Sequence, residues 1–148
     1  MSTVIYPGSF NPWTIGHHDI LKRTLQVFDK VLVVIATNPD KLVNKDKIKW
    51  VLAPLEQHFN GHVEVTTHEG LISDFKLPII RGVRSGDWEY EQNIAMWNKE
   101  LGVETIFMCP NPAIAHINSS ALRLLHNNGV DITPFVGLPD IAKRWKVS

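Results

Sequence analysis

The chain of 148 residues carries a single cysteine, no net charge and no long apolar run. One thiol, Cys109, excludes an intrachain disulfide and suits a reducing compartment. Because Cys109 follows the apolar run Thr105 to Met108, it reads as a buried strand thiol rather than a nucleophile. Lys and Arg total 15, and so do Asp and Glu, which argues against a nucleic-acid coat or a membrane-surface protein. Any basic patch must therefore be local. No stretch approaches the roughly 20 apolar residues that cross a bilayer, and the first residues do not form a secretory signal. A cytoplasmic protein, with neither nucleic acid nor membrane as partner, is expected. Two common phosphate-binding signatures, G-x-G-x-x-G and G-x-x-x-x-G-K-[ST], are also missing. His58, His62, His68, His116 and His126 show no metal-ligand spacing, so no metal site built from the protein is expected.

What is present alternates. Thr3–Tyr6, Lys30–Ala36, His62–Thr66, Pro78–Gly82 and Glu104–Cys109 read as strands. Between them lie helical patterns at 17–28, 47–59, 88–101 and 121–126, with a short last helix from Pro139 to Trp145. Asp46 is the expected N-cap of the second helix, and Pro54 should kink or split it. Residues 70–75 allow at most two helical turns. The Lys30–Ala36 run is continuously apolar and β-branched, the pattern of a parallel strand buried on both faces. The whole chain is expected to form one domain. Its architecture is a doubly wound, Rossmann-like α/β fold with a five-stranded parallel sheet and helices on both faces. In such sheets ligands sit beyond the strands' carboxyl ends, where the strand order reverses.

The stretch from Tyr6 to His18 organises the chain. It is a strand-to-helix turn with two prolines and two glycines, and a histidine where the helix begins. A helix start offers unpaired N–H groups and a positive dipole end, and anions settle there. Gly8 would let backbone approach a ligand, and Gly16 would ease entry into the helix. His17 is the titratable side chain on that lip, unless it only caps its helix. Lys41, Arg81 with Arg84, and the helix start Asn118-Ser119-Ser120 should join it at the sheet's carboxyl edge, making a polyphosphate cradle.

The segment Thr14-Ile15-Gly16-His17 resembles the T/H-x-G-H motif of the nucleotidyltransferase superfamily. Within it, the chain is most similar to the phosphopantetheine adenylyltransferase family over almost its whole length. The similarity rests on Tyr6–His17, on Lys41 in Asn38-Pro39-Asp40-Lys41, and on Arg81-Gly82-Val83-Arg84. It continues in Asp87-Trp88-Glu89-Tyr90-Glu91 with Asn98, and in Ile117-Asn118-Ser119-Ser120. The resemblance implies transfer of the adenylyl group of ATP to 4′-phosphopantetheine, with Mg²⁺ held mainly by nucleotide oxygens, in a homohexamer. It implies His17, Lys41 and Arg81 as catalytic residues. It assigns ATP to Gly8, Ser9, Phe10, Gly16, His17, Gly82, Arg84, Glu91, Ser119 and Ser120. The acceptor would meet Ser9, Lys41, Leu71, Ile72, Arg81, Tyr90, Ile94 and Asn98.

Several positions depart from the family pattern. Asn11 replaces a usual aspartate, Trp13 a smaller apolar residue and Asn118 a serine, while the segment Phe75–Pro78 is shortened. Two alternatives follow. One is adenylyl transfer to nicotinamide mononucleotide, although that branch usually carries histidine at the Thr14 position. The other is a nucleotide-binding protein without catalysis, against which the retained His17, Lys41, Arg81 and Arg84 argue.

Overall fold

The computed structural model describes residues 2–36 and 44–148, so Lys41 lies outside the described residues. Five strands, β1 (Thr3–Gly8), β2 (Lys30–Ile35), β3 (Val63–Thr67), β4 (Ile79–Gly82) and β5 (Thr105–Met108), form one parallel sheet in the order β3-β2-β1-β4-β5. The order reverses between β1 and β4. Both strands end on glycine, Gly8 and Gly82, at the same edge.

Side-chain alternation divides the core. Val4, Tyr6, Val31, Val33, Ile35, Val63, Val65 and Ile80 face one side. There they meet Ile20 and Leu21 of α1 (Ile15–Thr24) and Ile48, Val51 and Leu52 of α2 (Lys45–Leu52). Leu55 of α3 (Pro54–His58), Leu122 of α5 (Ser119–Asn127) and Ile141 of α6 (Pro139–Val147) complete that layer. The opposite face is thinner. Ile5, Val34, Ile79 and Val103 are covered by a 3-10 turn, Ile72–Phe75. Here α4 (Trp88–Glu100) docks through Trp88 against Phe107, ring centroids 5.0 Å apart. Helical cover on both sheet faces is the doubly wound arrangement.

Local chemistry explains where elements start and stop. Thr14 caps α1, and Lys22 and Arg23 in its last turn complement the helix dipole. Pro54 lacks an N–H and cannot continue α2, so the expected 47–59 helix is split at Ala53. The cap of α2 is Asn44 rather than Asp46, because the Asn44 carboxamide accepts from the N–H groups of Asp46 and Lys47. Cys109 is also corrected: β5 stops at Met108 and leaves the thiol exposed beside Pro110.

Candidate active site

The sheet's carboxyl edge opens into a cleft of about 310 Å³ at the β1/β4 reversal. Its walls come from the end of β1, the start of α1, the end of β4 and the start of α5. Three arginines, Arg81, Arg84 and Arg123, line it, against two carboxylates, Asp87 and Glu91. The first turns of α1 and α5 both contribute, so two helix N-termini border one cavity.

His17 sits third in α1, and its environment settles its protonation. The Thr14 N–H donates to His17 Nδ1 at 3.0 Å, while Thr14 Oγ1 accepts from the His17 N–H at 3.2 Å. This reciprocal capping box makes Nδ1 an acceptor, so the neutral ring carries its proton on Nε2. The rings of Phe10, Trp13 and Tyr6 pack around the imidazole, with centroids 5.1, 5.4 and 6.4 Å away. Burial, then the charges of Arg84 and Arg81, pushes its pKa down to about 3. His17 thus caps its helix and lines the cleft at once. The neutral ring accepts through Nδ1 and keeps its proton on Nε2.

The turn before α1 is held by the far end of the chain. Arg123 Nη1 donates to the Asn11 carbonyl at 2.6 Å, and Ser119 Oγ to the Pro12 carbonyl at 2.7 Å. The Gly137 N–H donates to the Trp13 carbonyl at 3.1 Å, and Trp145 Nε1 to Asn11 Oδ1 at 2.8 Å. Three successive carbonyls are therefore capped by three separate residues from the last third of the chain. Trp13 is fully buried, and a Cβ added to Gly137 would lie 2.4 Å from its ring. Gly8 has a related role: an added Cβ would strike the Phe10 ring at 2.7 Å. Phe10 itself takes the left-handed conformation at φ 49°.

On the β4 side, Arg81 is tightly engaged. Its Nε and Nη2 donate to the two carboxylate oxygens of Glu91 at 3.0 and 2.6 Å, and Nη1 donates to the Pro7 carbonyl at 3.1 Å. Burial works to lower its pKa, but the Glu91 contacts outweigh this and the value is raised. Arg84 is looser: exposed, and 3.6 Å from Asp87.

The expected nucleotide residues Gly8, Ser9, Phe10, Gly16, His17, Gly82, Arg84, Glu91, Ser119 and Ser120 all border the cleft, as does Arg81. Two also make contacts within the protein. Glu91, assigned to ATP by the resemblance, presents both of its oxygens to Arg81 at the border of the cleft. Ser119, also assigned to ATP, donates its hydroxyl to the Pro12 carbonyl and leaves its backbone N–H at the helix start. Leu71, Ile72, Tyr90, Ile94 and Asn98 do not border this cleft; Leu71, Tyr90 and Ile94 are exposed. Arg123 and Asn111 line the cleft without belonging to any motif of the sequence. Arg123 lies one helical turn after Ser119, a spacing that could have placed it on the same face. Among the described residues, no group of three or more His, Cys, Asp or Glu converges on a possible metal position. No helix among them is long and apolar enough to cross a membrane.

Comparison with known proteins decides the family. A phosphopantetheine adenylyltransferase from Cytophaga hutchinsonii is 38% identical over 143 residues, covering 89% of this chain and 94% of the relative. The chain belongs to the phosphopantetheine adenylyltransferase family. A second phosphopantetheine adenylyltransferase, from Clostridium botulinum strain Hall, is 36% identical over 158 residues, covering 97% of this chain and 95% of the relative. The cytidylyltransferase-like family model matches residues 5–57, the segment containing the opening turn and α1. Among solved structures, a Vibrio parahaemolyticus protein assigned as a nicotinate-nucleotide adenylyltransferase superposes with TM-score 0.74 at 14% identity, covering 99% of this chain and 93% of that one. The Plasmodium falciparum nicotinic acid mononucleotide adenylyltransferase has TM-score 0.62 at 16% identity, covering 99% and 96%. At such identities these two establish the shared nucleotidyltransferase fold.

Proposed function

We propose that the protein transfers the adenylyl group of ATP to 4′-phosphopantetheine, giving dephospho-coenzyme A and pyrophosphate in coenzyme A synthesis. The observation that carries this reading is the neutral His17 beside Arg81 and Arg84, in the cleft at the β1/β4 reversal. The phosphate of the acceptor is already an anion, so no covalent enzyme intermediate is needed. Its oxygen attacks the α-phosphorus of ATP in line, a P–O bond forms, and the bond to the β-phosphate oxygen breaks. The protein's task is to hold two anions together and stabilise charge on the transferred group.

In this reading His17 Nε2–H donates to the α-phosphate, and Ser9, Lys41 and Arg81 grip the attacking phosphate. Arg84, the α5 backbone start at Ser119 and Ser120, and Arg123 hold the β,γ end. Tyr90, Ile94 and Asn98, successive turns of α4, with Leu71 and Ile72, take the pantetheine arm outside the main cleft. Magnesium arrives with the nucleotide. The ion would be held mainly by nucleotide oxygens, next to Asp87 and Glu91, which face Arg84 and Arg81. The whole chain acts as one nucleotidyltransferase domain, in the cytoplasm.

We also propose a homohexamer, as the family resemblance implies. Met96 and Trp97 of α4 are 61% and 70% exposed, a large apolar surface for a protomer alone. Trp97→Glu should lower the mass seen by light scattering; an unchanged mass would remove α4 from the interface.

The deciding assay offers the purified protein ATP, Mg²⁺ and either phosphopantetheine or nicotinamide mononucleotide, and records pyrophosphate. Release with phosphopantetheine is expected. Release with nicotinamide mononucleotide alone would move the acceptor, and no release with either would leave a nucleotide-binding protein without catalysis.

A further inference from the structure

We propose that Trp13 and His18 form a hydrogen-bonded pair that positions His17 for the transfer step, an inference that rests on the adenylyl-transfer reading. Trp13 is one of the departures from the family pattern. Its indole is fully buried, and a buried indole N–H needs an acceptor. The acceptor is His18 Nδ1, at 3.2 Å. The neutral His18 ring therefore carries its own proton on Nε2. That ring lies against Phe59 and His58 at the end of α3, with centroids 5.5 and 5.8 Å away, so the bond ties the opening turn to a second helix.

His17 and His18 are consecutive in α1 and leave the helix about 100° apart, so neither ring can hold the other. Trp13 reaches both. Its ring lies against the His17 imidazole, centroids 5.4 Å apart and planes inclined by 33°, while its N–H meets His18. Phe10 meets the same imidazole edge-on, at 5.1 Å and 85°. The Thr14 N–H on Nδ1 fixes one point of the His17 ring, and the indole fixes the plane through that point. Together they give Nε2–H a single direction. A donor to developing phosphoryl charge is worth most when its direction is set before the substrate arrives.

Trp13 is itself confined. Phe10 and Tyr6 pack on it with centroids 4.9 and 5.9 Å away. A Cβ on Gly137 would lie 2.5 Å from Trp13 Nε1 and 3.0 Å from His18 Cβ, so bare backbone covers the bond between the two residues. An indole turned over would lose the His18 acceptor and bury an unpaired N–H.

Kinetics and spectroscopy on the full chain test this. The proteins are wild type, Trp13→Phe, His18→Leu, His18→Gln and His17→Ala, with Trp13→Phe also placed in the His17→Ala background. Trp13→Phe keeps an aromatic ring without the N–H, and His18→Leu removes the acceptor. Each should lower kcat for pyrophosphate release about tenfold, with the KM values for ATP and acceptor within about twofold of wild type. His18→Gln offers the indole an amide oxygen, guards against a variant that fails to fold, and should recover most of the loss. Trp13→Phe should cost little more in the His17→Ala background. Unchanged kcat in both single variants, a rise in KM alone, or full additivity with His17→Ala would overturn the proposal. Nitrogen-15 spectra of the imidazoles read the same pair without turnover. His17 ring signals should move or broaden in His18→Leu, where the indole remains but is untethered, and stay near wild type in His18→Gln. His17 signals that are the same in both variants would overturn the proposal. The spectra stand whether or not wild type releases pyrophosphate, so failure of the catalytic reading is told apart from failure of the pair.

Discussion

Trp145 Nε1 donates to Asn11 Oδ1 at 2.8 Å across 134 positions of sequence, so the last helix holds the turn from which the active site is built. The amide at Asn11 keeps an acceptor for Trp145 even though it lacks the aspartate's charge. Arg123 binds the backbone carbonyl of the same residue, giving Asn11 two of the turn's tethers. Asn11→Asp should therefore retain the melting temperature, since a carboxylate accepts from an indole N–H at least as well. Asn11→Leu should lose about 1 kcal/mol, or roughly 2–4 °C in a chain of this size. A melting curve of Asn11→Leu superimposable on wild type would show the tether to be idle.

His17→Ala should lower turnover by ~10²-fold or more, as expected when one transition-state donor is removed. The same change breaks the capping box with Thr14, at a cost of about 1 kcal/mol of stability. Comparing single-turnover rates with melting temperatures separates the two roles. Turnover that falls no more than the folded fraction would leave His17 a cap only.

Two histidines in one helical turn make folding sensitive to acid. His17 is held at about 3, by burial first and then by Arg84 and Arg81. His18 is held at about 4, by burial first and then by His58 and Lys22, with Asp19 opposing. His18 Nδ1 accepts from Trp13 Nε1 at 3.2 Å. Both rings are neutral when folded, but near the usual 6.5 they take up protons when unfolded. The unfolded state therefore binds more protons below that value, and stability falls as pH drops from about 6.5 towards 4 and 3. Above about pH 7 these groups contribute no slope. Melting temperatures from about pH 4 to 8 should show this, with a shallower fall in His18→Gln. The kcat/KM profile of wild type should lack an acid limb near 6.5 due to His17.

Gly137→Ala should be among the more destabilising small changes in the protein. Its Cβ would lie 2.4 and 2.5 Å from Trp13 Cδ1 and Nε1, and Trp13 is fully buried. Overpacking of this kind costs about 1–3 kcal/mol. The double change Gly137→Ala with Trp13→Leu should recover part of the loss in denaturant titrations. No recovery would place the strain elsewhere.

Strand and helix types were legible because they follow from neighbours in sequence. The β-branched run of β2, the break at Pro54 and the polar start of α5 each carry their own local signal. The opening turn could be read as a phosphate lip because its glycines, its cap residue and its histidine lie within a dozen positions. Exact boundaries were less readable, so Asn44 rather than Asp46 caps α2 and Cys109 falls just past its strand. Arg123 and Asn111 carried no motif.

Sequence alone determined the alternation of strands and helices, the T-x-G-H turn and the cationic character of the site. The tertiary structure decided which groups in that site remain free to act. Nothing near Arg81 in the chain says that Glu91 will occupy two of its donors, or that Ser119 will commit its hydroxyl to Pro12. Nor does the turn itself announce that Asn11 will answer to Trp145. The physical reason is common to all three. A hydrogen bond between elements exists only once the sheet has brought their ends together, and burial then makes it too costly to leave unmade.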